Sequence, residues 1–142
     1  MAEIVREVMT AGVAAVRPDA SLVEAARLMR DLDIGDVLVA DGDRVVGVLT
    51  DRDITLRSVA EGADPVGVSA ASACTPDPVC VAPEDSVASA VRLMRTHAVR
   101  RLPVVDDGRP LGVVSIGDLA AAQDPGSALA EISLAESNNE RS

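Results

Sequence analysis

The sequence predicts an α/β fold of the α+β kind: two β-α-β-β-α units packed as a pseudo-twofold pair. Three observations carry this. The chain repeats itself, each copy switches between strand-like and helix-like apolar spacing in the same order, and one copy is too short to be stable alone. With residue n set against residue n+65, the match runs without a gap from Met9/Cys74 to Ile54/Leu119, and fifteen of those 46 pairs are identical. Among them are Pro18/Pro83, Ser21/Ser86, Met29/Met94, Gly47/Gly112 and Asp53/Asp118. A gapless register of that length marks a duplication. A unit of roughly 50 residues buries too little surface to hold itself together, so two copies packed sheet against sheet are expected.

Each unit opens on a short apolar strand, "VAAV" at 13–16 and "VCVA" at 79–82, closed by Pro18 or Pro83. Proline has no amide to donate and ends a strand there. A helix follows from Ser21 or Ser86. Ser21 and Glu24 have the spacing of a capping box. Leu22, Ala25, Ala26, Leu28, Met29 and Leu32 form its apolar stripe, and Arg27 and Arg30 near its end complement the helix dipole. Two apolar runs come next, 37–40 with 45–50 and 102–105 with 111–115, separated by Asp41-Gly42 or Asp107-Gly108. Asp-Gly between apolar runs is a hairpin signal. A second helix starts after Thr50 and after Ser115. The boundaries that follow are 5–60 for the first unit, 61–73 for a connector with a small helical lead-in, and 74–123 for the second unit. In the tail, 124–142, a short helix is expected around Ala128 to Ala135, followed by a disordered polar end, "ESNNERS".

The chain has 142 residues, is 48% hydrophobic, and has no Phe, Tyr or Trp. Its core must be aliphatic. A net charge of −10 argues against nucleic acid, which needs a basic patch, and against anionic membrane surfaces. A small nucleotide needs only a few arginines and a helix end. No apolar run approaches a membrane span, and "MAEIVREVM" lacks the features of a signal peptide. A cytoplasmic location is expected, with Cys74 and Cys80 as reduced thiols.

The stretches "GVLTDRD" at 47–53 and "GVVSIGD" at 112–118 are the most informative. Gly47 and Gly112 interrupt a strand, where glycine marks a bulge or a close backbone approach. Thr50 and Ser115 take the N-cap, with Asp53 and Asp118 three residues on. On its own this pattern is helix capping. It also sets a hydroxyl at a helix N-terminus, which attracts phosphate, beside a carboxylate that accepts hydrogen bonds from ribose hydroxyls.

The β-α-β-β-α unit, "VRRLPVVDD" at 99–107, and the paired "GVLTDRDI" and "GVVSIGDL" resemble the CBS domain. Two in tandem resemble a Bateman module, over about residues 5–123, and the likeness extends to small stand-alone bacterial tandem-CBS proteins of the hypoxic response type. The resemblance implies a regulatory module that binds an adenine nucleotide (AMP, ADP or ATP, with S-adenosylmethionine less favoured) in the clefts between the two units. It also implies a homodimer, formed through helices, that acts on a separate effector protein. Carried over residue by residue, Thr50 and Asp53, and Ser115 and Asp118, hold phosphate and ribose. The adenine wall draws on Val16, Val37, Leu38 and Val39 in one half, and on Val81, Leu102, Pro103 and Val104 in the other.

The two sites are not expected to be equal. Ser115 is followed by Ile116-Gly117, which leaves that helix start open to an anion, whereas Thr50 is followed by Asp51-Arg52. Asp51 stands where phosphate would sit, and either Arg52 offsets it or Asp51 favours a metal-bound phosphate. Leu38 replaces the proline found at Pro103, a departure from the family's apolar-Pro-Val strand. The Ser115/Asp118 site is therefore expected to be the stronger. Arg100 and Arg101 replace Gly35 and Asp36 and point to opposite faces of their strand. One of them reaches either a phosphate or a carboxylate, or both make surface ion pairs. A zinc site from Cys74, Cys80 and His97 is disfavoured, because the spacing fits no standard ligand pattern. An enzyme is disfavoured too, since no nucleophile–base pair can be recognised by spacing. The alternative to a nucleotide sensor is a ligand-free dimeric docking protein.

Overall fold

The computed structural model describes residues 4–135. The polar end proposed for the tail, 136–142, lies outside them. The chain forms two compact units, and the internal repeat is visible in each. In the first, β2 (Ala15–Val16) runs parallel to β3 (Asp36–Asp41), and helix α1 (Leu22–Leu32) connects them. β3 turns into antiparallel β4 (Arg44–Thr50), which leads without a break into α2 (Asp51–Ile54) and a π-helical turn, Thr55–Val59. In the second, α4 (Val87–His97) precedes the hairpin β6 (Arg101–Asp106) and β7 (Arg109–Ser115), then α5 (Ile116–Gln123) and α6 (Ala128–Leu134). The first strand of this repeat is reduced to one parallel bridge, Val81 to Val104.

Local chemistry explains these elements. Ser21 Oγ accepts from Glu24 N at 3.1 Å and Ser86 Oγ from Ser89 N at 3.0 Å, so both long helices start on a serine cap. Both end on a left-handed residue, Asp33 at φ 55° and Ala98 at φ 54°. The second hairpin turns on Asp107-Gly108, both at positive φ, and the first on Gly42 at φ 63°. The buried stripe of α1 is narrower than its apolar positions suggest. Leu22, Ala25 and Met29 are buried, while Ala26 and Leu32 are exposed.

One element pair sets the unit boundaries, and it differs from the sequence division. β1 (Thr10–Ala11) pairs antiparallel with β7, Thr10 opposite Val113, and so joins the second unit's sheet. β5 (Thr75–Pro76) pairs antiparallel with β4, Thr75 opposite Val48, and joins the first. The first unit is therefore Val13–Pro78, and the second is Met1–Gly12 with Val79–Ser142. Each repeat's sheet is completed by the segment that leads into the other repeat. Gly47 and Gly112 are where this strand arrives. A Cβ on Gly47 would lie 2.5 Å from Cys74 Sγ and 2.8 Å from the Thr75 oxygen, and one on Gly112 would overlap the Thr10 carbonyl oxygen. The close backbone approach expected at these glycines is present in both copies.

Each unit has its own aliphatic core. In the first, Leu22, Ala25 and Met29 pack with Val37, Val39 and Leu49 and with Ala70 and Ala73 of α3 (Ala70–Ala73). In the second, Val5 joins Val87, Ala90, Met94, Leu102, Val104, Val114 and Leu119. Val5 stands at the repeat position of Ala70, so the lead-in segment supplies core as well as a strand.

Candidate functional site

The candidate site forms where the hairpin's last strand becomes a helix. Thr50 Oγ1 accepts from Asp53 N at 3.0 Å, and Asp53 Oδ2 accepts from Thr50 N at 2.9 Å. Ser115 Oγ accepts from Asp118 N at 3.1 Å, and Asp118 Oδ2 accepts from Ser115 N at 2.9 Å. All four bonds are half-buried and close two reciprocal capping boxes. The next amide in each copy is also fixed, Asp51 N donating to the Gly35 oxygen at 2.9 Å and Ile116 N to the Arg100 oxygen at 2.8 Å.

Strand register decides which side chains accompany the boxes. Asp36 is the Cα partner of Thr50, and Arg101 that of Ser115. The first site therefore gathers Asp36, Asp51 and Asp53 against exposed Arg52, while the second gathers exposed Arg100 and Arg101 against Asp118. Asp51 leans over Gly35, where a Cβ would lie 3.3 Å from its carboxylate. The two boxes share one geometry and differ in the formal charges that neighbour them in sequence and register. Asp36 gained its importance through this register, which the sequence pattern alone did not show.

The proposed adenine wall is divided by the pleat. Val16, Val37, Val39, Val81, Leu102 and Val104 lie in or against the two aliphatic cores. Leu38, 2% exposed, and Pro103, also buried, belong to the alternate positions of their strands, on the face turned away from those cores. Cys74 and Cys80 are half-buried thiols that form no disulfide. Burial raises the pKa of both, and for Cys74 the nearby Asp53 charge adds to the effect while a backbone hydrogen bond opposes it. Cys74 belongs to the first unit, and Cys80 and exposed His97 to the second. Among the described residues no cluster of three His, Cys, Asp or Glu side chains could hold a metal ion, and no helix is long and apolar enough to cross a membrane.

One expectation is corrected. The start of α5 is not open at Gly117. Gly117 is buried, and a Cβ there would overlap Ser133 Oγ and lie 2.6 Å from Ser133 Cβ. The missing side chain makes room for α6 rather than for solvent. Each repeat also has a groove between its two helices. In the second unit it has a volume of about 320 Å³ and is lined by Met94, Val99, Ile116 and Leu119, with Arg95 and Leu129 at its edge. The equivalent groove in the first unit, about 370 Å³, is lined by Met29, Ile34 and Ile54 with Asp33 and Asp51. Neither groove includes the hydroxyl or the aspartate of a capping box.

Comparison with known proteins places both repeats in one family. The CBS domain family matches the chain twice, over residues 5–59 and 69–124. The CBS domain-containing protein YhcV of Bacillus subtilis is 40% identical over 134 residues, covering 91% of this chain and 94% of that protein. Hypoxic response protein 1 of Mycobacterium tuberculosis is 37% identical over 116 residues, 81% of each chain. A crystal structure of Hypoxic Response Protein I with two coordinated zinc ions superposes with a TM-score of 0.75 at 36% identity, covering 82% of this chain and 96% of that one. A hexameric CBS-CP12 protein from bloom-forming cyanobacteria superposes at 0.76 with 28% identity, over 87% of this chain and 74% of its own.

Proposed function

Because the chain belongs to the CBS domain family, we propose that it is a regulatory module that senses an adenine nucleotide and acts, as a homodimer, on a separate effector protein. CBS-domain proteins are generally regulatory and often bind nucleotides, and stand-alone members are typically not enzymes. The observation that carries the proposal is the reciprocal hydroxyl–carboxylate box at the same turn of both repeats.

Capping does not exhaust these groups. A carboxylate has about four lone-pair sites, and each aspartate box uses one Oδ2 for a backbone amide, which leaves capacity for two ribose hydroxyls. Each cap hydroxyl accepts one amide and keeps its O–H to donate to a phosphate oxygen. The Ser115/Asp118 site is the stronger in this proposal, because Arg100 and Arg101 favour an anion there while Asp36 and Asp51 oppose one beside Thr50. Leu38 and Pro103 are the wall residues best suited to a base, since their neighbours in the strand are committed to the cores.

The test is an ultraviolet spectrum of freshly purified, untagged protein, followed by mass spectrometry of what heat releases. A chain without Trp or Tyr absorbs little at 280 nm, so bound adenine stands out near 260 nm. An adenine mass supports the sensor and names its ligand. A blank spectrum, with no thermal shift from AMP, ADP, ATP or S-adenosylmethionine, favours the ligand-free docking protein instead.

A further inference from the structure

We infer that α6 is a displaceable strap, seated on the first turn of α5 beside Ser115, and that an anionic ligand at Ser115 and Asp118 competes with it and releases it. The inference rests on the nucleotide proposal above, whose second site it concerns. The starting observation is the contact at Gly117. The point where a Cβ would stand on this residue overlaps Ser133 Oγ and lies 3.7 Å from Ser115 Oγ, so the Ser133 hydroxyl fills the space beside the capping serine. A phosphate that reaches for the Ser115 hydroxyl and the first turn of α5 meets Ser133 there.

The internal repeat supplies the control. The residue equivalent to Gly117 in the first unit is Arg52, an exposed side chain that would not fit under a seated helix. The cap hydroxyl, Thr50 or Ser115, and the aspartate three residues on are kept in both copies. The glycine therefore belongs to the strap and not to the capping box.

The strap is also built to leave. α6 has seven residues, too few to persist as an isolated helix, and its amides are capped locally by Ser127 Oγ on Ala130 N at 3.1 Å. Ala130 is its one buried residue, whereas Ile132 and Leu134 are each 71% exposed. It joins α5 through Asp124-Pro125-Gly126, a turn closed by Ser127 N on the Asp124 oxygen at 3.0 Å. A helix with one buried anchor, on a short Pro-Gly turn, is held weakly enough for a ligand to shift its population.

Hydrogen exchange read by mass spectrometry on the full chain tests this, with AMP, ADP, ATP and S-adenosylmethionine as probes and Ala130→Glu as the variant. Ala130→Glu removes the strap's anchor and leaves residues 115–118 untouched. Saturating nucleotide is expected to raise exchange across 128–134 in the wild type. Ala130→Glu is expected to exchange rapidly there without nucleotide and to bind the probe at least about fivefold more tightly, the low end of usual coupling between sites. If nucleotide binds while exchange at 128–134 stays unchanged, or if Ala130→Glu binds equally or more weakly, the strap is refuted and the sensor stands. If neither protein binds AMP, ADP, ATP or S-adenosylmethionine, the sensor proposal itself falls and the coupling with it.

Discussion

Asp118→Ala separates what the capping box does for folding from what it does for a ligand. In the folded chain Asp118 Oδ2 accepts the Ser115 amide at 2.9 Å, and Ser115 Oγ accepts the Asp118 amide at 3.1 Å. The substitution removes the first bond and keeps the second. Leaving a half-buried amide without an acceptor costs about 1–1.5 kcal/mol, the low end of the range for a buried donor. Losing a carboxylate from the first turn of α5 adds about 0.3–1 kcal/mol. The sum is about 1.3–2.5 kcal/mol, measured without nucleotide by urea unfolding followed through the far-ultraviolet circular dichroism, since the chain has no Trp or Tyr to report fluorescence. Asp118→Asn keeps an oxygen acceptor for the amide, so it is expected to cost under about 1 kcal/mol. The two variants should therefore differ clearly in stability and both bind nucleotide poorly. An unchanged urea midpoint in Asp118→Ala would refute the capping argument. Full nucleotide binding by Asp118→Asn would refute the role of its charge at the ribose.

Four further outcomes follow from the same geometry. Leu102→Ala empties a fully buried position of the second core and is expected to cost about 2–5 kcal/mol by urea unfolding. Gly112→Ala drives a methyl into the Thr10 carbonyl, so it should cost at least about 1–3 kcal/mol and raise hydrogen exchange at Thr10 and Ala11. Ala98→Gly relieves an alanine held at φ 54° at the end of α4 and is expected to raise Tm, with a gain of up to about 1 kcal/mol. Burial raises both thiol pKa values, so each folded thiol keeps its proton after an unfolded thiol has lost it. That contribution to stability is present below the ordinary thiol pKa of about 8.5 and is lost as pH rises through the folded value. Iodoacetamide should accordingly label folded Cys74 and Cys80 more slowly at pH 7.5 than it labels the urea-unfolded chain.

Much of the fold was legible because its signals are local and written twice. Ser21 and Ser86, the Asp-Gly turns at 41–42 and 107–108, and the boxes from Thr50 and Ser115 each act within four residues, so a 65-residue offset reproduces the caps and boxes and places the turns within one residue. The apolar stripe of α1 was less legible. Helical spacing includes Ala26 and Leu32, and only the packing of the sheet shows that Leu22, Ala25 and Met29 are the ones covered. For the adenine wall, the strand period showed that neighbours face apart, but not which face of 37–39 or 102–104 is the core.

By itself the sequence determined the duplication, the order of elements within each copy, and the hydroxyl–carboxylate turn in both. Short-range hydrogen bonding and apolar periodicity suffice for those. Tertiary structure decided which segments complete which sheet. β1 and β5 are two residues long, too short for any period to show, and the pairing of Thr10 with Val113 depends on backbone groups far apart in the chain. It also decided what Gly117 is for. A glycine states only that a side chain is missing, and whether water, a ligand or Ser133 takes the space depends on where the rest of the chain packs.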